Sequence, residues 1–274
     1  MFESIALRLR RELIGIVNIK GVILESKNVI DEIRRFAKSR NVKAILLRID
    51  SPGGAVVPSQ EIYEEVVRVR KEKKVCASFG NMGTSGAYYI ASAADRIFAS
   101  PGTVTGSIGV ALRLSNVEEL LKKIGLSSKI VKSGPYKDLG SPFRKVTQKE
   151  SKLLDDLMSD IHQQFVESVA AGRKVDPEKL LALADGRIFT GKQAKDLGLV
   201  DELGNMNHAI EEMGKMVGIE GEPRTIELPK RRSSLSGRIV GTTVSAMMDE
   251  WEQRSSKLGA LTYLPALSSE DVEL

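Results

Sequence analysis

Short runs of β-branched and apolar residues alternate along this chain with longer stretches of helical periodicity, and that alternation restricts the fold more than any other feature. "IGIVNIKGVI" (14–23) and "VKAILLRID" (42–50) read as strands, separated by the helix-like "NVIDEIRRFAKSR" (28–40). After "SPGG" comes "SQEIYEEVVRVRKEKK" (59–74), where Ser59 is the expected N-cap and the basic end suits the helix dipole. Strand "VCASF", a helix over "SGAYYIASAA", strands "RIFAS" and "SIGVAL", helix "NVEELLKKIG" and strand "SKIVKSG" follow in turn. This order predicts an α/β layered fold. From residue 148 the pattern is mainly helical. "QKESKLLDDLMSDIHQQFVESVAAGR" leads to "DPEKLLALADG", with Pro177 in the first turn behind Asp176, then to a short strand "RIFT" and to "TGKQAKDLG", capped by Thr190 and ended by Gly198. Past Glu227 the chain turns basic and serine-rich, so residues 229–274 are expected to extend a 1–228 domain.

With 274 residues, 42% of them hydrophobic, and only 9 prolines, the chain can bury a sizeable core. The formal charge of +5 suggests nucleic acid at first sight, but 41 basic and 36 acidic residues are interleaved. No single-sign stripe with aromatics is present, so no nucleic-acid partner is expected. Cys76 is the one cysteine, which excludes an intrachain disulfide framework; in "KVCASFG" it reads as a small buried hydrophobe. The first 23 residues never sustain the ~18 apolar residues of a membrane span, because Glu3, Arg8, Arg10, Arg11 and Glu12 interrupt them. The chain as given is expected to be soluble, with an anchor either lacking or preceding it.

Strand, tight glycine loop, helix recurs at 50–60 and at 78–90. In the second of these, Gly80, Gly83, Thr84, Ser85, Gly86 and Ala87 crowd together at the junction. Small residues let something approach closely, and the serine suggests a nucleophile. A serine nucleophile needs a base. The two histidines, His162 in "SDIHQQFVE" and His208 in "NMNHAIEEM", lie on charged amphipathic helices and read as packing or surface residues. A lysine can serve instead once desolvated or placed near another positive centre. Lys137 differs from most lysines here in lying in a loop, "VKSGPYKDLGSPFRKVT", that is rich in glycine and proline. Asp50 reads as a structural residue capping its loop.

"DSPGG" (50–54), "GNMGTSGAYYIASAADRIFASPGTVTGSIGV" (80–110), "KSGPYKD" (132–138) and "DGRIFTGKQAKDLGLVDELG" (185–204) closely resemble the signal peptide peptidase A family, the Ser-Lys peptidases of family S49. The resemblance runs in order from about residue 13 to 216. It implies a nucleophile at Ser85, a general base at Lys137, a lysine-orienting hydroxyl at Ser107, and an oxyanion hole from the amides of Gly54 and Gly86. It implies a Clp/crotonase-like fold of repeated strand-strand-helix units with a helical arm at about 148–183, and a homo-oligomer of eight protomers with sites facing a shared interior. Substrates would be extended apolar peptides such as remnant signal peptides, with membrane association if an anchor precedes the chain. No metal-ligand cluster and no phosphate-binding loop is present, so neither metal nor nucleotide cofactor is expected.

Two other readings compete. A crotonase-like acyl-CoA enzyme shares the fold, but no Glu lies between Asp50 and Glu61 or between Glu72 and Glu118 to supply its usual carboxylate. A non-catalytic scaffold would not need both Ser85 and Lys137. The tail "LGALTYLPALSSEDVEL" (258–274) is apolar in part and bears one proline. It is either an inert terminus or a tethered segment that adds as a strand to the groove of a protomer.

Overall fold

The computed structural model of the protein describes residues 12–229 and the strand pair Thr262–Tyr263. Its centre is a mixed sheet built on β1 (Leu13–Lys20), β2 (Val42–Ser51) and β4 (Lys74–Thr84), paired in parallel. The apolar runs of these strands are nearly continuous because both faces are covered. Ile14, Ile16, Ala44, Leu46 and Cys76 point to one face, where the helix Met206–Met216 covers them with Ala209 and Met213. Val17, Ile19, Ile45, Leu47, Ile49, Val75, Ala77 and Phe79 alternate onto the other face, in the larger cluster. There they meet α1 (Lys27–Lys38), α2 (Val56–Val69) and α3 (Gly86–Ser92). Cys76 is fully buried and its thiol is pushed up to about 12 by that burial, as expected of a small hydrophobe.

The fourth strand changes partner along its length. Cys76–Ser78 pair with β5 (Arg96–Ala99), whereas Met82–Thr84 pair with β6 (Val104–Gly106). β6 continues the sheet to the antiparallel β7 (Ile188–Thr190), and β5 pairs with β8 (Glu202–Leu203). On the far side β9 (Arg224–Glu227) adds in parallel to β1. This edge strand is exposed throughout, so no burial pattern in the sequence announces it.

Three expectations are corrected. Ser59 is not an N-cap: the helix begins at Val56, directly after Gly54–Ala55, and Ser59 lies inside it, buried, with its hydroxyl donating to Ala55 O at 2.9 Å. The strand expected over "SIGVAL" lies earlier, at Val104–Gly106, because the chain turns out of the sheet at Ser107 (φ 51°). "SKIVKSG" forms no strand. Among the described residues no strand pairs with it, and Val131 stands 91% exposed.

The long helix α5 spans Gln148–Arg173 as its pattern predicts, opened by a capping box between Thr147 and Glu150. Its second half packs Ile161, Phe165, Val166, Val169 and Ala170 into the core, while Leu153 and Leu157 in its first half stay exposed. Thr190 with Gln193 forms a second capping box, and Asp176 caps Pro177–Leu181. Residues 230–261 and 264–274 of the expected extension lie outside the described residues.

Candidate active site

Ser85 occupies the turn between β4 and α3 with φ 55° and ψ −124°. This is left-handed backbone that costs a non-glycine residue on the order of 1–3 kcal/mol and persists only where the surroundings impose it. They do so here through the backbone: Ser85 N–H donates to Gly106 O at 2.8 Å, and Ser85 O accepts from Tyr89 N at 2.8 Å, the first bond of the helix. The result is a serine at a sharp strand-to-helix turn, the geometry that presents a nucleophile above a sheet. Its Oγ is buried and has no hydrogen-bond partner among the described residues.

The turn is also held from the neighbouring strand. Asp50, at the end of β2, accepts from Met82 N at 3.1 Å and Asn81 Nδ2 at 3.3 Å. Asp50 therefore caps the approach to Ser85 and not its own loop. The loop 51–54 is closed by Ser51, whose hydroxyl accepts from Gly53 N and donates to Gly21 O. Gly80 permits the contact, since a Cβ there would lie 2.8 Å from Asp50 Cγ. Arg48 extends the same clamp by donating to Phe79 O at 2.6 Å and Ser78 Oγ at 3.0 Å. The sequence signal for these two was their place at the end of a strand that enters a glycine turn.

Gly54 reaches the same place from the other side. Gly83 pairs with Ser51, and Thr84 Oγ1 donates to Pro52 O at 3.1 Å, so the 51–54 loop lies against the turn that carries Ser85. Gly53 O accepts from Ile23 N (2.8 Å) and Ala55 N donates to Ile23 O (2.7 Å), in a parallel bridge between Ile23 and Gly54. That pairing turns the N–H and C=O of Gly54 to the opposite edge. A side chain cannot be accommodated, because a Cβ on Gly54 would lie 2.0 Å from Ile23 O. The opposite edge is where β10 (Thr262–Tyr263) pairs antiparallel with β3 (Gly54–Ala55), Tyr263 facing Gly54. Gly86 is the first residue of α3, so its N–H is among those without an intrahelical acceptor.

Ser107 follows Gly106, whose carbonyl holds Ser85. It is buried, and its N–H donates to Arg187 O at 2.8 Å. Beside it opens a cavity of about 600 Å³ lined by Ser107, Val110, Asp155, Met158, His162 and Ala184, among others. Four of the five expected site residues, Ser85, Ser107, Gly54 and Gly86, thus belong to one backbone-linked constellation. Lys137 does not join them within the chain. It is exposed, in the turn Gly134–Ser141, and its ammonium makes no hydrogen bond among the described residues. His162, set aside on sequence, shares the cavity with Ser107, and its Nε2 is buried with no hydrogen-bond partner among the described residues. His208 pairs with Glu202 and lies edge-on to Phe98, a packing role.

Among the described residues no group of three His, Cys, Asp or Glu side chains could hold a metal ion, and no helix is long and apolar enough to cross a membrane.

The profile of peptidase family S49 matches residues 67–220. A candidate protease of Synechocystis sp. is 45% identical over 224 residues, 80% of this chain and 81% of that protein. A candidate signal peptide peptidase of Enterococcus faecium is 37% identical over 69% of this chain, which spans 55% of that relative. A chloroplast serine protease of Arabidopsis thaliana is 31% identical over 86% of this chain, which spans 37% of it.

Proposed function

Because the chain belongs to peptidase family S49, we propose that it is a serine endopeptidase in which Ser85 and Lys137 form a dyad. Ser85 Oγ attacks the substrate carbonyl carbon while the neutral Lys137 amine takes the hydroxyl proton. The amine then returns that proton to the leaving nitrogen, and a water repeats the sequence on the acyl-enzyme. The N–H groups of Gly54 and Gly86 receive the oxyanion, and Ser107 orients the lysine. The observation that carries this reading is the buried, unpartnered Ser85 Oγ on left-handed backbone beside the outward-turned amide of Gly54.

In this reading the dyad closes on assembly. Ser85 Oγ has no hydrogen-bond partner among the described residues and Lys137 is exposed, so a homo-oligomer, of eight protomers in a Clp/crotonase-like arrangement, would bring a lysine to each serine. Extended apolar peptides such as remnant signal peptides suit this edge, since Val22 and Leu24, on either side of the Ile23 that bridges Gly54, and Val57, three residues beyond it, are exposed. Association with a membrane surface follows from such substrates. The acyl-CoA reading loses support because Asp50, a carboxylate next to the turn, is engaged by Asn81 and Met82. A serine-directed phosphonate is expected to label the peptide containing Ser85 and to leave Ser85→Ala unlabelled. Labelling elsewhere, or coenzyme A affinity without labelling, would sink the reading.

The chain's own tail is a substrate candidate. With Tyr263 opposite Gly54 in an antiparallel pair, the Tyr263 carbonyl falls on the N–H assigned to the oxyanion. In this reading cleavage falls on the C-terminal side of Tyr263. Prolonged incubation is expected to remove residues 264–274 from the wild type and not from Ser85→Ala, and deleting 258–274 to raise the rate on a short peptide. Equal intact masses for both proteins, with an unchanged rate after deletion, would exclude this.

A further inference from the structure

The turn carrying Lys137 has no packed core beneath it, yet it is held by a compact ionic hub that none of the assigned roles uses. Asp138, the next residue, accepts from Arg144 Nε at 2.7 Å and Nη2 at 2.8 Å, and also from Lys132. Lys132 donates in addition to Pro135 O at 3.0 Å. Arg144 Nη1 donates to Glu150 Oε2 at 2.8 Å, and Nη2 reaches Glu150 Oε1. Glu150 in turn accepts from Thr147 N at 2.9 Å, which is half of the capping box that starts α5. One planar guanidinium thereby joins the residue after Lys137 to the first turn of a helix whose other end is buried in the core. Both carboxylates are nearly inaccessible. Arg144, with its hydrogen bonds first among the causes, holds Asp138 well below the ordinary carboxylate range and Glu150 at about 2.

We propose that Arg144 is the positioning residue for the general base: by bridging Asp138 and Glu150 it fixes the Lys137 turn to the start of α5, so that the lysine meets Ser85 and Ser107 in one orientation. This role for Arg144 depends on Lys137 being the base. A fork is needed because two carboxylates on different segments must be held at once, in fixed relative orientation, with bonds to each. Lysine, a point charge on a flexible stem, cannot reproduce this. The turn is one of glycines and proline, and its backbone bonds, Lys137 N to Gly134 O at 3.3 Å, Leu139 N to Tyr136 O at 3.1 Å and Ser141 N to Asp138 O at 3.0 Å, are internal to it, as are the contacts from nearby Lys132; it is Arg144 that ties it to α5. Because α5 is anchored through Phe165 and Val169, the bridge transmits the rigidity of the core to an exposed base.

The test is steady-state kinetics of Arg144→Lys and Arg144→Ala on a short fluorogenic peptide, with thermal unfolding recorded in parallel. Loss of positioning is expected to lower kcat roughly 10- to 100-fold with KM within about twofold, since a small displacement of a catalytic group acts on the transition state. Added guanidinium should restore part of the kcat of Arg144→Ala and nothing to Lys137→Ala. A kcat of wild-type size in both variants overturns the proposal. So does a loss that tracks unfolding in both and resists guanidinium. Lys137→Ala at wild-type rate would instead refute the base assignment, whatever the Arg144 variants do.

Discussion

Lys137→Ala is expected to lower kcat/KM on a short peptide by roughly a thousandfold, the scale of a positioned general base, while His162→Ala stays near the wild-type rate. The contrast matters because His162 and Ser107 line one cavity whereas Lys137 is exposed in the isolated chain. Proximity within the chain favours the histidine; the unpartnered Ser85 Oγ shows that neither side chain reaches it there. Helix α5 fixes the backbone of His162 through the buried neighbours Ile161, Phe165 and Val166. The turn around Lys137, held from behind by Arg144, presents its lysine at the surface, where a docking partner can meet it. If docking is onto a neighbouring protomer, mixing Ser85→Ala with Lys137→Ala should restore measurable activity, because mixed contacts join an intact serine to an intact lysine. Abolition of activity by His162→Ala with Lys137→Ala unaffected would reverse the assignment.

Gly54→Ala should cost roughly a hundred- to a thousandfold in kcat, the range for loss of one oxyanion donor. A Cβ at Gly54 would meet Ile23 O at 2.0 Å and Ile23 C and N at 2.6 Å, all backbone atoms of a segment paired to it. That segment cannot rotate away as a side chain would, so the 54–55 strand must shift and carry its N–H off target. Gly102→Ala is the control, since nothing lies within 4 Å of a Cβ there. If Gly54→Ala kept the wild-type rate, its amide would not be a donor to the oxyanion and the second half of the hole would have to be sought elsewhere.

What could be read in advance follows the range of the interactions concerned. Helix 148–173 was legible to the residue because its start is set by a Thr147–Glu150 box and its face by period; both are local. The strand over "SKIVKSG" failed for the opposite reason: Ile130 and Val131 have the right residue types, but strand formation needs an edge to pair with, and no strand among the described residues pairs there. Ser59 failed because the entry to its helix is set by the bridge of Gly54 to Ile23, a contact 31 residues apart in sequence.

The sequence by itself determined the α/β class and the serine at a strand-to-helix turn crowded with small residues. Each of these depends on side-chain size, branching and spacing over a few positions. Tertiary structure alone decided that the fourth strand changes partner before Ser85, that the Gly54 amide faces outward, and that Lys137 stands apart from the serine in a turn tied down by Arg144. The direction of a backbone N–H is set by which strand lies beside it, and the reach of a loop by what its flanking charges grip. Both are fixed by residues far apart in the chain.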